Sequence, residues 1–204
     1  MAASAVFLEK PETQLEDLLE RLCRKLQLTP TQHGAAEAHY HAIGDWLAAD
    51  GSPLRVFNPR IYPQGSMSVG TTTKPVSQEE YDIDLVCELE VNPLACPNPG
   101  VLLTAVEERM VDHETYGKMI EPKPRCVRVT YAHEFHLDII PACPDRYSGG
   151  TCVVIPDRGL ARWRASNPKG FAAWFLQKCE TVRVTFLERR NRYRLLKPAT
   201  TKRH

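Results

Sequence analysis

Tyr81-Asp82-Ile83-Asp84-Leu85-Val86-Cys87 is the stretch on which the reading of this chain turns. Its apolar residues suit a strand, and successive strand side chains point to opposite faces. Asp82 and Asp84 therefore share one face, about 6–7 Å apart at their Cα atoms. Ile83, Leu85 and Cys87 point the other way, into a core. Two carboxylates side by side repel each other unless a proton or a cation relieves them. A hard divalent cation such as Mg²⁺ is bound through one or two carboxylates together with substrate phosphates. An Asp-x-Asp pair also occurs on solvated strands, so its meaning depends on the sequence around it.

Phe135-His136-Leu137-Asp138-Ile139-Ile140-Pro141 repeats the pattern downstream. Phe135, Leu137 and Ile139 form an apolar row, which leaves Asp138 on the opposite face. If this strand neighbours the first, three carboxylates converge, the arrangement that two-metal phosphoryl chemistry uses. Taken alone, Asp138 is equally an edge-strand carboxylate beside a turn. Upstream lies Gln64-Gly65-Ser66-Met67-Ser68-Val69-Gly70-Thr71-Thr72-Thr73-Lys74. Glycine lets backbone N–H groups approach a phosphate, a helix opening there adds a favourable dipole, and Ser66 offers a hydroxyl. The Walker pattern is absent, and alone the segment reads as an ordinary Gly/Ser turn. Lys74 reads as a surface lysine within reach of a phosphate. His136 reads as a structural histidine, on the face of Asp138 if the alternation holds.

Together these segments resemble the polymerase-β-like nucleotidyltransferase superfamily. The resemblance rests on Gly65-Ser66, Asp82-x-Asp84 on a following strand, and a third aspartate, Asp138, downstream. The run from Gln64 to Pro75, with His136 to Pro141, Ser166-Asn-Pro-Lys-Gly170 and Trp174-Phe175, is similar to the bacterial cyclic-oligonucleotide synthases. These are relatives of cyclic GMP-AMP synthase used in anti-phage signalling. The resemblance implies an NTP-dependent enzyme that joins ATP or GTP into a cyclic di- or oligonucleotide and releases pyrophosphate. It further implies Asp82, Asp84 and Asp138 as catalytic residues and as ligands of Mg²⁺ or Mn²⁺. Gln64, Gly65 and Ser66 would hold the donor triphosphate. A regulatory protein partner is compatible with such an enzyme. The zinc-ligating insertion of the animal DNA sensor is missing, so a nucleic-acid activator is not suggested.

The remaining pattern supplies a scaffold. Leu15, Leu18, Leu19, Leu22 and Leu26 recur at helical intervals after Thr13 and Glu16, whose spacing suits a capping box, so a helix is expected from Thr13 to Leu28. A second is expected from Thr31 to Ala49, with Ile43, Trp46 and Leu47 inward. Asp50-Gly51-Ser52-Pro53 breaks the chain. Leu54 to Tyr62 reads as a strand or extended approach, Val101 to Val111 as a helix, Arg125 to Tyr131 as a strand turning near His133, and Cys152 to Pro156 as another. Ser166 or Asn167 caps a last helix opening at Pro168, with Phe171, Trp174 and Phe175 toward the core. The expected fold class is α+β, a nucleotidyltransferase core with a mixed sheet flanked by helices.

Composition sets outer bounds. The 204 residues suffice for one well-cored domain, and no apolar run reaches the roughly 20 residues of a membrane span. Seven cysteines without CxxC pairs read as reduced thiols in a cytoplasmic protein. Charge is uneven: Arg158 to His204 holds 13 Lys and Arg against two acidic residues, a net +11, and the remainder is −10. An acidic body with a basic end suits a partner carrying phosphate, or simply a solvated helix. Three segments are expected: residues 1–50, helical and packing on the core; 51–165, the catalytic core; and 166–204, a helix and basic tail beginning a C-terminal helical lobe that reads as truncated. Two other functions stay open: transfer of a nucleotide to tRNA, an antibiotic or a protein, and nucleotide binding by an inactive truncated relative.

Overall fold

The computed structural model describes residues 11–74, 80–131 and 135–196. The turn expected near His133 lies outside them, as does the tail from Lys197 onward. Two helices, α1 (Pro11–Leu26) and α2 (Pro30–Ala48), lead into β1 (Arg60–Pro63), the short α3 (Gly65–Val69) and β2 (Tyr81–Glu88). Next come α4 (Gly100–Val111), β3 (Ile120–Pro122), β4 (Val127–Tyr131) and β5 (Phe135–Pro144). The order closes with β6 (Val153–Asp157), β7 (Arg162–Ser166) and α5 (Pro168–Leu196).

The sheet runs β1-β2-β5-β4-β3, and β6 pairs with the far end of β5 and with β7. β2 and β5 are parallel and the other pairs antiparallel, so the sheet is mixed, as expected. Alternation divides its two faces where the acids lie, whereas toward the ends of β2 and β5 Val86 and Ala142 join Val153 in a second small apolar cluster. Ile83, Leu85 and Cys87 of β2, Val127 and Val129 of β4, and Leu137 and Ile139 of β5 are fully buried on one face. α2 and α4 cover that face with Ala36, Ile43, Leu47, Val106 and Met110, each with no exposed surface. Burying such side chains is the main stabilising contribution, about 1.5–3 kcal/mol for each large one. The polar residues of the same strands are thereby left together on the opposite face.

Helix boundaries follow local chemistry. Thr29 caps α2: its hydroxyl accepts from Gln32 N, and the Gln32 side chain accepts in return from Thr29 N. This is the capping box. It was expected at Thr13, but α1 opens earlier, at Pro11, a residue suited to a first helical position. Asn167 rather than Ser166 caps α5, since its Oδ1 accepts from Gly170 N at 2.9 Å.

Three other expectations are corrected. Leu54 to Tyr62 is not one extended stretch: Arg55–Phe57 form a 3₁₀ turn, and Asn58 takes a left-handed conformation (φ 50°) before β1. Phe171 and Trp174 do not face the core; each is 53 % exposed. The helical spacing of these aromatics thus marks a face without assigning it to the core. Strands β3 and β7 have no counterpart in the sequence reading. β7 is mostly exposed and lacks the buried alternate row by which a strand is recognised.

Candidate active site

Strand register brings the predicted acids together. Asp84 of β2 lies directly opposite Asp138 of β5, and Asp82 lies opposite His136. All four side chains are on the face of the sheet not covered by α2 and α4. Asp82 is exposed, Asp84 half-buried and Asp138 buried. Burial, then the charges of Asp138 and Asp82, push the Asp84 carboxyl above its ordinary range, against a smaller opposing effect of Arg128. That mutual repulsion is the physical sign of crowded carboxylates.

The cluster contains a cation of its own. Arg128 of β4 stands opposite Asp138. Its Nε donates to Asp138 Oδ1 at 2.7 Å and its Nη2 to Asp138 Oδ2 at 2.8 Å. Such a two-pronged guanidinium–carboxylate pair is among the stronger charge-assisted arrangements. Nη2 also lies 3.3 Å from Asp82 Oδ1. The pairing with Asp138 holds the guanidinium above its ordinary value, against the opposing effect of burial. Cys126 is drawn in as well: burial, then the charge of Asp138, push its thiol up to about 12.

His136 lies on the same face, as the alternation required. Its Nε2 is 2.7 Å from Glu80 Oε2 and its Nδ1 is 3.6 Å from Asp82 Oδ1. The ring therefore lies between two carboxylates at the entrance of β2.

Gln64, Gly65 and Ser66 begin α3, against the same acids. Gln64 N donates to the backbone oxygen of Asp84 at 2.8 Å, which docks the turn on β2. Gly65 has φ +59°, and a Cβ on it would stand 2.8 Å from Asp84 Oδ2. Both its conformation and its surroundings call for glycine. The Ser66 hydroxyl accepts from Thr72 Oγ1 at 3.1 Å, and Ser66 O accepts from Thr71 N. Lys74 is tied back to α1 through its own N–H, which donates to Leu26 O.

An ionic knot around the buried Glu88 carboxylate, with its cationic partners half exposed, holds α5 to this face. Glu88, at the end of β2, accepts from Arg60 Nη2 (2.8 Å), the Tyr62 hydroxyl (2.9 Å) and Lys169 Nζ (2.9 Å). The Lys169 ammonium also lies 3.9 Å from the centre of the Tyr62 ring, a cation–π contact.

Oxygen donors from adjacent strands suit a hard divalent cation, and the raised Asp84 carboxyl fits such a role. Among the described residues, however, no three acidic, His or Cys side chains are drawn together in ligand geometry. Asp138 is turned onto Arg128 instead. Sequence reasoning missed Arg128, Cys126, and the Glu88–Lys169 pair. A signal existed for Arg128: Val127-Arg128-Val129-Thr130-Tyr131 alternates and places it on the polar face, but its neighbours were unknown.

Comparisons with known proteins bear on the family and the fold. A family model described as the Second Messenger Oligonucleotide or Dinucleotide Synthetase domain matches residues 14–178. A c-di-GMP synthase of Roseivirga ehrenbergii is 37% identical over 177 residues, 87% of this chain and 47% of that protein. The cyclic dinucleotide synthase CdnG of Bradyrhizobium diazoefficiens is 34% identical over 175 residues, 82% of this chain and 40% of that one. The chain thus spans less than half the length of these curated relatives. The structure of the Bradyrhizobium CD-NTase CdnG in complex with GTP superposes with a TM-score of 0.67 at 32% identity, over 81% of this chain and 46% of that one. Escherichia coli DncV, in its 3′-deoxy GTP bound form, shares the fold with a TM-score of 0.58 at 17% identity, over 79% of this chain and 60% of that one. The polymerase-β-like fold of these proteins is the fold of this chain.

Proposed function

We propose, because this chain belongs to the Second Messenger Oligonucleotide or Dinucleotide Synthetase family, that residues 51–165 are the catalytic core of a cyclic-oligonucleotide synthase. The reaction joins nucleoside triphosphates, with ATP and GTP the expected substrates, and closes them into a ring that serves as a signal in anti-phage defence. Within residues 1–50, α2 supports the core through Ala36, Ile43 and Leu47, and residues 166–204 contribute α5, which Lys169 ties to Glu88 of the sheet.

In each transfer the acceptor ribose oxygen bonds to the α-phosphorus as the bond from that phosphorus to the departing pyrophosphate breaks. Asp82, Asp84 and Asp138 would hold the divalent cations. Bound there, Mg²⁺ or Mn²⁺ supplies Lewis acidity to the triphosphate and lowers the pKa of an attacking hydroxyl. The chain's own groups do the rest. The turn at Gln64, Gly65 and Ser66 binds the donor triphosphate through backbone N–H groups and the Ser66 hydroxyl. Gly65 keeps that turn within reach of Asp84. Asp138 would complete the cation site, where its negative charge would favour loss of the attacking hydroxyl's proton. Orientation of donor and acceptor on one rigid sheet face replaces a bimolecular encounter and supplies a large part of the rate.

The observation that carries this reading is the register of Asp84 against Asp138 on neighbouring parallel strands, with Gly65 packed on Asp84. The test is to incubate the protein with all four NTPs and Mg²⁺ or Mn²⁺, digest with phosphatase and analyse by mass spectrometry. A phosphatase-resistant cyclic nucleotide, absent with Asp84→Asn, is expected. The same product from the Asp84→Asn protein would overturn the site assignment. Label from radioactive ATP appearing on added RNA, with no small cyclic product, would replace the synthase reading by transfer to another acceptor.

A further inference from the structure

Arg128 contributes a permanent positive charge where the proposed reaction needs divalent cations. The guanidinium engages both oxygens of Asp138 and one oxygen of Asp82. Its backbone cannot withdraw, because Val127 and Val129 on either side are fully buried and β4 is registered against β5. Only the side chain is free to adjust, and its contacts are unequal. The Asp138 contacts are short, at 2.7 and 2.8 Å, whereas the 3.3 Å contact reaches a carboxylate that is 59% exposed. Neither prong engages Asp84.

We infer that Arg128 is a positioning residue that couples cation loading of the acid cluster to the arrival of the nucleotide. This rests on the metal-dependent reading above. The fork to Asp138 holds that carboxylate in one orientation on the cleft face. The weaker hold on Asp82 is the one given up when a cation enters. A free divalent cation must compete with the guanidinium for the same oxygens, and it then sits beside a like charge. A triphosphate changes the balance, because its anionic oxygens offset both positive charges at close range. The cleft therefore takes a bare cation weakly and a nucleotide-borne cation well, which keeps the acids from filling without substrate.

The test is Mn²⁺ binding followed by electron paramagnetic resonance, with and without α,β-methylene-ATP, on wild type, Arg128→Gln and Arg128→Lys. Near-ultraviolet circular dichroism confirms that each variant is folded. Arg128→Gln is expected to bind free Mn²⁺ about tenfold more tightly than wild type and to gain less from the analogue. Arg128→Lys, which keeps the charge but not the fork, is expected to bind free Mn²⁺ as wild type does and to lose turnover at unchanged KM. Free-Mn²⁺ affinity unchanged or lowered in Arg128→Gln would overturn the coupling and leave Arg128 a structural holder of Asp138. Asp84→Asn serves as the control. If wild type and Asp84→Asn bind Mn²⁺ equally, with and without the analogue, the metal-site reading itself fails, and this inference with it.

Discussion

Gly65 and Asp84 stand so close that a single methyl group on the glycine would lie 2.8 Å from the carboxylate Oδ2. The contact joins the turn that opens α3 to the strand that carries the acids, and the turn's backbone also docks on Asp84 through Gln64 N. Gly65→Ala therefore meets two obstacles: a left-handed backbone at φ +59° and a displaced Asp84. The conformational part costs about 1–2 kcal/mol. Displacement of a reacting group by about 1 Å lowers turnover roughly 10²-fold. Thermal unfolding and product formation, measured together, are expected to show a modest loss of stability and a large loss of activity.

The three acids make a sharper prediction. Asp82→Asn, Asp84→Asn and Asp138→Asn each remove a charge from the proposed cation site, and the loss of several kcal/mol of transition-state stabilisation corresponds to roughly 10³-fold in rate. Chelation by EDTA should abolish product formation, and added Mn²⁺ should restore it in wild type alone. Asp138→Asn is further expected to be the least stable of the three, because it deprives Arg128 of its buried charged partner. Denaturant melts of the three variants would check that order.

Glu88 gives a pH dependence of known sign. Burial pushes its carboxyl up, but hydrogen bonds from Lys169 and Tyr62 and the charges of Lys169 and Arg60 hold it below its ordinary value of 4.5. A carboxyl held low in the folded state adds stability that is complete above the unfolded value and is lost as pH falls through the folded one. Wild type should exceed Glu88→Gln in stability by roughly 2 kcal/mol at neutral pH. The gap should stay level down to about pH 5 and shrink below 4.5. A gap independent of pH between 3 and 7 would contradict the ionic knot.

Apolar residues of α1 and of the sheet should respond differently to truncation. Leu18 and Leu19 are 53% and 51% exposed, whereas Ile83 and Leu137 have no exposed surface. Leu18→Ala or Leu19→Ala should change the stability of this chain by less than about 0.5 kcal/mol. Ile83→Ala or Leu137→Ala should cost about 2–5 kcal/mol through lost burial and the cavity left behind. Urea titrations of the four variants would show the contrast directly.

Thiol chemistry should map the fold. Cys23 and Cys179 are exposed, whereas Cys87 and Cys143 are buried. Burial and nearby carboxylates push the Cys126 thiol up to about 12, so it carries almost no thiolate at pH 8 despite its partial exposure. Brief iodoacetamide treatment at pH 8 followed by peptide mass spectrometry should label Cys23 and Cys179 first and Cys126 slowly. Faster labelling of Cys126 after Asp138→Asn would report the loss of that partner.

How much of this was legible beforehand depended on whether a residue's role is local. Asp82 and Asp84 could be read as co-facial because alternation is a property of one strand, and the same rule placed Asp138 opposite an apolar row. Pairing of the two strands is a long-range fact that no local pattern carries, and the resemblance to known enzymes supplied it. For that reason alternation could place Arg128 on the polar face but could not show what it pairs with. It is an unremarkable arginine until β4 is laid beside β5, when it becomes the nearest partner of Asp138. The aromatics of α5 failed in the opposite sense. Their helical spacing identifies an apolar face, but only packing determines whether anything covers it, and Phe171 and Trp174 are half exposed.

The parallel pairing of β2 with β5 also bears on how the molecule comes into being. Hairpin partners such as β4 and β5 can zip together soon after they meet, but the parallel strands must first close a long intervening segment that holds α4 and two further strands. Loop closure of that length is entropically unfavourable and slows association. Asp84 and Asp138 therefore face each other only once the central β2–β5 pair has formed. A chain in which that pair has not closed carries Asp82, Asp84 and Asp138 without the cluster they form, so the acids acquire their mutual proximity from the long-range pairing and not from either strand alone.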